Sequence, residues 1–216
     1  MTTVLLVRHG LTPQTGPILS GTTPGVHLDA RGQRQAEVLA ERLAPVALAA
    51  IVSSPLERCR ETVAALAEAR GLEVQVEERI GETRYGDWTG RELRHLRREP
   101  LWKTLMATPS AVTFPNGEAF MDVQARAIGA IRSWNARLGP DAVYLVCTHA
   151  DVLATIALDA VGSHFDQIHR LSFAPASVSV IRYAPAPTVI RLNDDGTGLA
   201  DLLAPPKRRG RRGSAA

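Results

Sequence analysis

Short apolar runs alternate along the chain with longer segments in which apolar residues recur at helical spacing. Residues 3–7, 49–53 and 143–147 are almost wholly apolar, a pattern that predicts strands buried on both faces of a sheet. A periodic segment follows each of these runs, and such alternation predicts a mostly parallel sheet. We therefore expect an α/β fold: a single domain over residues 1–203, with a mostly parallel central sheet flanked by helices on both faces.

The periodic segments predict five helices, at residues 29–44, 54–70, 92–106, 120–138 and 151–161. The second has the strongest start signal, because Ser54, Pro55 and Glu57 have the form of a capping box with proline at the first helical position. Gly71 is expected to end that helix. Residues 73–76 predict a weaker strand, and residues 178–183 and 188–192 predict a final pair of strands around a proline-rich turn.

The net charge of +3 comes from one end of the chain. Five cationic residues fall within the last ten, and no acid accompanies them: Lys207, Arg208, Arg209, Arg211 and Arg212. Removing these five charges from +3 leaves −2 for residues 1–206, so the predicted domain is not basic. We interpret residues 204–216 as a disordered basic tail and expect no nucleic-acid partner.

The remaining composition indicates an ordinary globular protein, with 45% hydrophobic and 22% charged residues. No apolar run approaches the roughly 18 residues that span a bilayer. The N-terminal apolar run is interrupted at Arg8 and is too short for a secretion signal. Cys59 and Cys147 lack metal-type spacing. We therefore expect a cytoplasmic protein without a membrane partner, a disulfide or a metal.

Residues that can handle phosphate follow three of the predicted strands. Arg8 and His9 follow the first, Arg58 lies in the helix after the second, and His149 follows the run 143–147. Because ligands of a parallel sheet bind beyond the carboxyl ends of its strands, we expect these side chains to share one crevice. Two arginines and two histidines near a helix N-terminus suit a dianionic phosphate.

Five blocks carrying these residues resemble, in order, the histidine phosphatase (phosphoglycerate mutase-like) superfamily. They are the Arg8-His9-Gly10 block, residues 53–62, residues 81–90, residues 114–118, and Thr148-His149. The resemblance covers roughly residues 3–160 and implies the family's mixed, mostly parallel sheet.

By this resemblance His9 is the nucleophile and Glu82 the proton donor, with Glu118 as the competing candidate. Arg8, Arg58 and His149 bind the phosphate, and His149 is also counted among the catalytic residues. Thr15 and Arg84 are candidates for the rim of the substrate site, whereas Trp88 is expected to anchor its loop by packing. No metal and no cofactor is implied, since guanidinium and imidazole groups neutralise the phosphate.

The function predicted is a metal-independent phosphatase that hydrolyses a small phosphomonoester through a phosphohistidine on His9. The alternative is a phosphoglycerate mutase-like phosphomutase that uses the same intermediate. Thr15 stands where cofactor-dependent mutases have asparagine, and no basic segment resembles the one that holds phosphoglycerate, which favours hydrolysis. A third hypothesis is a non-catalytic module that binds a phospho-ligand or polyanion. The sequence leaves the substrate and the oligomeric state open.

Overall fold

The computed structural model describes residues 1–197, in which six strands form one sheet. In chain order the strands are β1 (Thr2–Arg8), β2 (Ala50–Ser53), β3 (Val74–Val76), β4 (Val143–Thr148), β5 (Val178–Tyr183) and β6 (Pro187–Asp194). Across the sheet their order is β3-β2-β4-β1-β5-β6. The first four strands run parallel, whereas β5 is antiparallel to both β1 and β6. The predicted mostly parallel sheet is confirmed.

Helices cover both faces of this sheet. They are α1 (Ala30–Leu43), α2 (Glu57–Arg70), α3 (Leu93–Leu96), α4 (Pro100–Ala107), α5 (Phe120–Leu138) and α6 (Ala150–Ala160). The side chains of β1 alternate between two cores. Val4 and Leu6 belong to the core that includes α5 and α6 residues, and Leu5 and Val7 belong to the one formed with α1 and α2. The predicted α/β fold with helices on both faces is therefore confirmed.

The helix ends agree with the sequence signals in two places. The Asp29 side chain caps α1 by accepting hydrogen bonds from the backbone N–H groups of Arg31 and Gly32. Gly71 ends α2 with a φ of 60°, the left-handed conformation that glycine adopts without a steric penalty.

The capping box predicted at the start of α2 is wrong. The helix begins at Glu57, so Pro55 precedes it, and the N-cap position is held by Leu56 without a side-chain hydrogen bond. The Ser54 hydroxyl lies 2.8 Å from Nε2 of His149 and accepts only a long hydrogen bond, 3.4 Å, from the N–H of the N-cap residue Leu56. A buried imidazole nitrogen needs a hydrogen-bond partner more than a partly solvated helix end does, so tertiary structure overrides the local preference.

The single helix predicted over residues 92–106 is also wrong, because the segment forms two helices, α3 and α4. Pro100 is the first residue of α4, and Glu99 before it is extended, with φ −70° and ψ 141°. Proline lacks an N–H group and disfavours the helical conformation in the preceding residue, so the helix must restart. The break places α4 against the cavity described below.

The predicted domain end at residue 203 and the basic tail at 204–216 lie outside the described residues. Within residues 1–197, no helix has the length and apolar character needed to cross a membrane.

Candidate active site

The carboxyl ends of three adjacent parallel strands, β2, β4 and β1, meet at one edge of the sheet. Beyond this edge lies a cavity of about 390 Å³. Four predicted site residues line it, namely Arg8, His9, Arg58 and Glu82, and so does the candidate rim residue Thr15. The structure thus brings together residues that are up to 74 positions apart in the sequence.

His9 has the protonation state of a nucleophile. Its Nδ1 lies 2.7 Å from the carbonyl oxygen of Gly10, and because a carbonyl only accepts, Nδ1 carries the proton and Nε2 keeps its lone pair. Burial, followed by the charges of Arg58 and Arg8, lowers the pKa of His9 to about 3. The imidazole is therefore neutral at physiological pH, as an attack on phosphorus requires.

The backbone after His9 is held from two sides. Thr62 on α2 accepts a hydrogen bond from the Gly10 N–H at 2.9 Å. On the other side Gly32 packs so closely that an added Cβ would lie 2.1 Å from the Leu11 carbonyl oxygen. Glycine at position 32 lets α1 press against this loop, which fixes the Gly10 carbonyl that orients the His9 ring.

Arg58 and Arg8 present guanidinium groups with spare donors. Arg58 is 1% exposed and donates from Nη2 to the Gly21 carbonyl at 2.8 Å, whereas its Nη1 has no protein partner among the described residues. Arg8 is partly buried and donates from Nη1 to the Phe173 carbonyl at 2.6 Å, and its Nε is likewise without a described partner. Burial lowers the pKa of Arg8. A buried and a partly buried cation with unfilled donors favour binding of an anion.

His149 lies behind the cavity wall. Its side chain is fully buried and does not line the cavity. Arg58 can only donate, so the contact of 3.3 Å between its Nη2 and Nδ1 of His149 makes Nδ1 an acceptor. Nε2 then donates to Ser54, and burial holds the pKa of His149 well below its usual value. This geometry suits a His149 that holds Arg58 in place, and the direct contact of His149 with phosphate stays a prediction.

Glu82 has the properties of a general acid. Its pKa is raised to about 7, mainly by burial and then by the negative charge of Asp151, against the opposing effect of Arg58. The carboxylate accepts a hydrogen bond from the Thr83 N–H at 3.0 Å. A carboxyl group with this pKa can give up and recover a proton near neutral pH.

The competing acid, Glu118, has a different environment. Its carboxylate is 2% exposed and accepts hydrogen bonds from the Arg84 backbone N–H at 2.8 Å and from Arg126 at 2.9 Å. The Arg84 guanidinium lies 3.0 Å from its second oxygen. Neither Glu118 nor Arg84 lines the cavity. Both hold the loop that carries Glu82, and the place of Arg84 at the rim of the substrate site stays a prediction.

Sequence reasoning missed Asp151 and Tyr85. Asp151 lies in the first turn of α6, lines the cavity, and accepts a hydrogen bond from the Tyr85 hydroxyl at 2.6 Å. The sequence did offer one signal for Asp151, since it is an acidic residue two positions after His149. Its proximity to Glu82 could not be predicted, because that depends on how α6 packs against a loop distant in sequence.

Much of the remaining cavity lining is apolar, a character that sequence reasoning did not predict. It is formed by side chains from the loop after β1, from helices α3 and α4, and from the segments around Trp88 and Phe114. Trp88 is 3% exposed and stacks on Trp102, with ring centroids 6.1 Å apart. Trp88 is therefore buried as predicted, and it also forms part of the cavity wall. Within residues 1–197 no group of His, Cys, Asp and Glu side chains is arranged to hold a metal ion.

Residues 4–195 match the model of a known family, the histidine phosphatase superfamily (branch 1). Among curated proteins, the chain is 32% identical to the bifunctional protein Rv2228c of Mycobacterium tuberculosis over 200 residues. That match covers 88% of this chain and 53% of the relative, so the chain spans about half the length of the first relatives it matches. Phosphoserine phosphatase 1 of Hydrogenobacter thermophilus is 29% identical, with 88% and 90% of the two chains covered.

Solved structures show the same fold. Bacillus stearothermophilus YhfR superimposes with a TM-score of 0.84 at 29% identity, covering 90% of this chain and 98% of that one. A putative alpha-ribazole-5'-P phosphatase from Escherichia coli gives a TM-score of 0.81 at 26% identity, covering 92% and 98%. These relatives confirm the predicted fold and support the prediction of an enzyme of the phosphatase class.

Proposed function

The chain belongs to the histidine phosphatase superfamily, and from that premise we propose that it is a metal-independent phosphatase that hydrolyses a small phosphomonoester through a phosphohistidine on His9. One observation carries the proposal. A neutral His9, with Nδ1 fixed by the Gly10 carbonyl and Nε2 unprotonated, shares a cavity with the buried Arg58, the partly buried Arg8 and Glu82.

The first chemical step transfers the phosphoryl group to His9. Arg8 and Arg58 hold the phosphate oxygens, and Nε2 forms a bond to phosphorus while the bond between phosphorus and the ester oxygen breaks. Glu82 gives its proton to the departing oxygen, so the alcohol leaves neutral and Glu82 becomes a carboxylate. His149, through its contact with Arg58, is a positioning residue in this scheme.

The second step returns the enzyme to its starting state. Glu82 takes a proton from a water molecule as that water attacks phosphorus, and the bond between Nε2 and phosphorus breaks. Inorganic phosphate is released, with Glu82 protonated and His9 neutral again. Glu82 thus donates a proton in the first step and accepts one in the second. Its raised pKa supports both roles, because the group can then gain and lose a proton near neutral pH.

The mutase alternative needs a cation to hold the carboxylate of phosphoglycerate. Apart from Arg8 and Arg58, the described residues that line the cavity include no lysine or arginine. This composition supports hydrolysis. The hypothesis of a module that binds polyanions through the tail concerns residues outside those described.

Rapid-quench labelling tests the proposal. Mixing enzyme with a phosphomonoester and quenching in alkali is expected to leave phosphate on His9, detectable by mass spectrometry of the peptide that contains it. His9→Asn should abolish labelling and turnover, whereas the control His164→Asn, at an exposed histidine outside the cavity, should preserve both. Turnover in His9→Asn at the wild-type rate would refute the proposal.

Location in the cytoplasm is part of the same proposal. It rests on the sequence, in which Cys59 and Cys147 have the pattern of neither a disulfide framework nor a metal site.

A further inference from the structure

Resting on the proposed function, we propose that the enzyme selects monoesters whose alcohol part is uncharged and apolar, such as an aryl group or a medium-length alkyl chain. The juxtaposition that carries this inference is a cavity whose described lining has Arg8 and Arg58 as its only arginines or lysines and is otherwise largely apolar.

The apolar wall is built from separate parts of the chain. Leu19 comes from the loop after β1, Trp88 from the turn after Glu82, Leu93 from α3, and Trp102 and Met106 from α4. Trp102 is half-buried and stacks on the buried Trp88, so the wall includes a preformed aromatic surface. A surface of this kind gains free energy by covering apolar groups of a ligand.

The cavity is large enough to hold the alcohol part of a small ester as well as the phosphate. Its volume of about 390 Å³ lies toward the lower end of the range, roughly 300–1,000 Å³, that is typical of small-molecule sites. With Arg8 and Arg58 engaged by the phosphate, the leaving alcohol is left to contact the largely apolar remainder of the lining.

A carboxylate on the alcohol part lacks a free cationic partner in this cavity. Arg8 and Arg58 are committed to the phosphate, and Nε2 of His169 lies 2.8 Å from the Leu105 carbonyl oxygen, to which it can only donate. An ammonium could pair only with Asp151, whose carboxylate already accepts a hydrogen bond from Tyr85 and whose charge already acts on Arg8. A charged group that leaves water for the apolar wall itself loses hydration without gaining an ion pair.

An alkyl phosphate series tests the inference. Ethyl, butyl and hexyl phosphate have leaving groups of similar reactivity, so differences in kcat/KM report binding of the chain rather than chemistry. We expect kcat/KM to rise on the order of 100-fold from ethyl to hexyl phosphate, since each buried methylene adds to transition-state binding. Phosphoethanolamine and 3-phosphoglycerate should be poorer substrates than butyl phosphate. A flat series, or a preference for either charged ester, would overturn the inference.

Two variants and a matched control connect the preference to the wall. Met106→Lys should lower the ratio of hexyl to ethyl kcat/KM by roughly tenfold, because it places a charge on an apolar surface. Trp102→Ala should lower the same ratio by removing the aromatic surface. Met121→Lys changes another partly exposed methionine, on α5 outside the cavity, and should leave the ratio unchanged. An unchanged ratio in both wall variants would refute the assignment.

The outcomes separate this inference from the proposed function. Absence of phosphate release by the wild type from every ester would contradict the proposed function itself. Release from all the esters at similar kcat/KM would leave the phosphatase in place and overturn only the apolar selection.

Discussion

Nδ1 of His149 lies 3.5 Å from carboxylate oxygen Oε2 of Glu82, and the same nitrogen contacts Arg58. Because Nδ1 accepts from Arg58, its contact with Glu82 suits the protonated form of that acid, and one buried imidazole lies between the candidate acid and a phosphate-binding cation. Because Arg58 lowers the pKa of Glu82 and Asp151 raises it, the position of the arginine helps to set the protonation state of the acid. The parts of the site are electrostatically dependent on each other, which leads to the following predictions.

Glu82→Gln should slow hydrolysis of alkyl phosphates by about 10²–10⁴-fold in kcat, since a poor leaving group needs the proton. Hydrolysis of 4-nitrophenyl phosphate should suffer much less, because nitrophenolate leaves without protonation. Glu118→Gln should not discriminate between the two substrates, and thermal denaturation should show that its main effect is on stability. Equal losses on both substrates in Glu82→Gln would argue against a role in proton donation.

The pH dependence of kcat/KM should be bell-shaped. Activity falls as the pH rises through about 7, where Glu82 loses its proton, and falls at the acid end near pH 3, where His9 gains one. Asp151→Asn should shift the basic limb to lower pH, because it removes a negative charge that raises the pKa of Glu82. Asp122→Asn, an exposed change on α5, is the control that should leave the limb in place. A basic limb unmoved by Asp151→Asn would contradict this account.

Acid should destabilise the fold in a window set by His9. Its pKa falls from 6.5 to about 3 on folding, so below about pH 6.5 the unfolded chain takes up a proton that the folded state excludes. The free energy of unfolding should therefore decrease as the pH falls from about 6.5 toward 3. Urea denaturation of wild type and His9→Asn across this range should show a weaker pH dependence in the variant.

Gly32→Ala should destabilise the fold by about 1–3 kcal/mol and reduce activity, because the new Cβ would lie 2.1 Å from the Leu11 carbonyl oxygen. The displaced backbone is next to Gly10, whose carbonyl orients His9. Gly129→Ala on α5 is the matched control, since a Cβ there meets nothing within 4 Å and alanine favours a helix. Denaturation and phosphatase assays of both variants measure the difference, and a neutral Gly32→Ala would show that the loop adapts.

Inorganic phosphate should raise the melting temperature of the wild type, since it binds the folded state only. At 100 times its dissociation constant the gain would be about 2.7 kcal/mol. Arg58→Met should abolish most of this shift by removing a buried cation with an unfilled donor. A similar shift in Arg58→Met would place phosphate elsewhere.

The sequence by itself determined the α/β fold, because buried strands and amphipathic helices carry their periodicity locally. It also determined that Arg8, His9, Arg58 and His149 follow strands whose ends share one edge of the sheet. The two errors in the predicted helices have different causes. At Ser54 and Pro55 a local capping signal lost to a nonlocal hydrogen bond, and at Pro100 the effect of proline on the preceding residue was not taken into account. The Ser54 hydroxyl forms a short hydrogen bond with His149, 95 positions away, and only a long one with Leu56 at the start of its own helix.

Only the tertiary structure decided what each of these groups can do. Glu82 and Glu118 are alike in sequence, but two arginines hold Glu118 while burial and Asp151 raise the pKa of Glu82. The apolar wall likewise draws on segments that are far apart along the chain. Protonation, tautomer and cavity shape depend on distances between residues remote in sequence, and those distances exist only once the chain has packed.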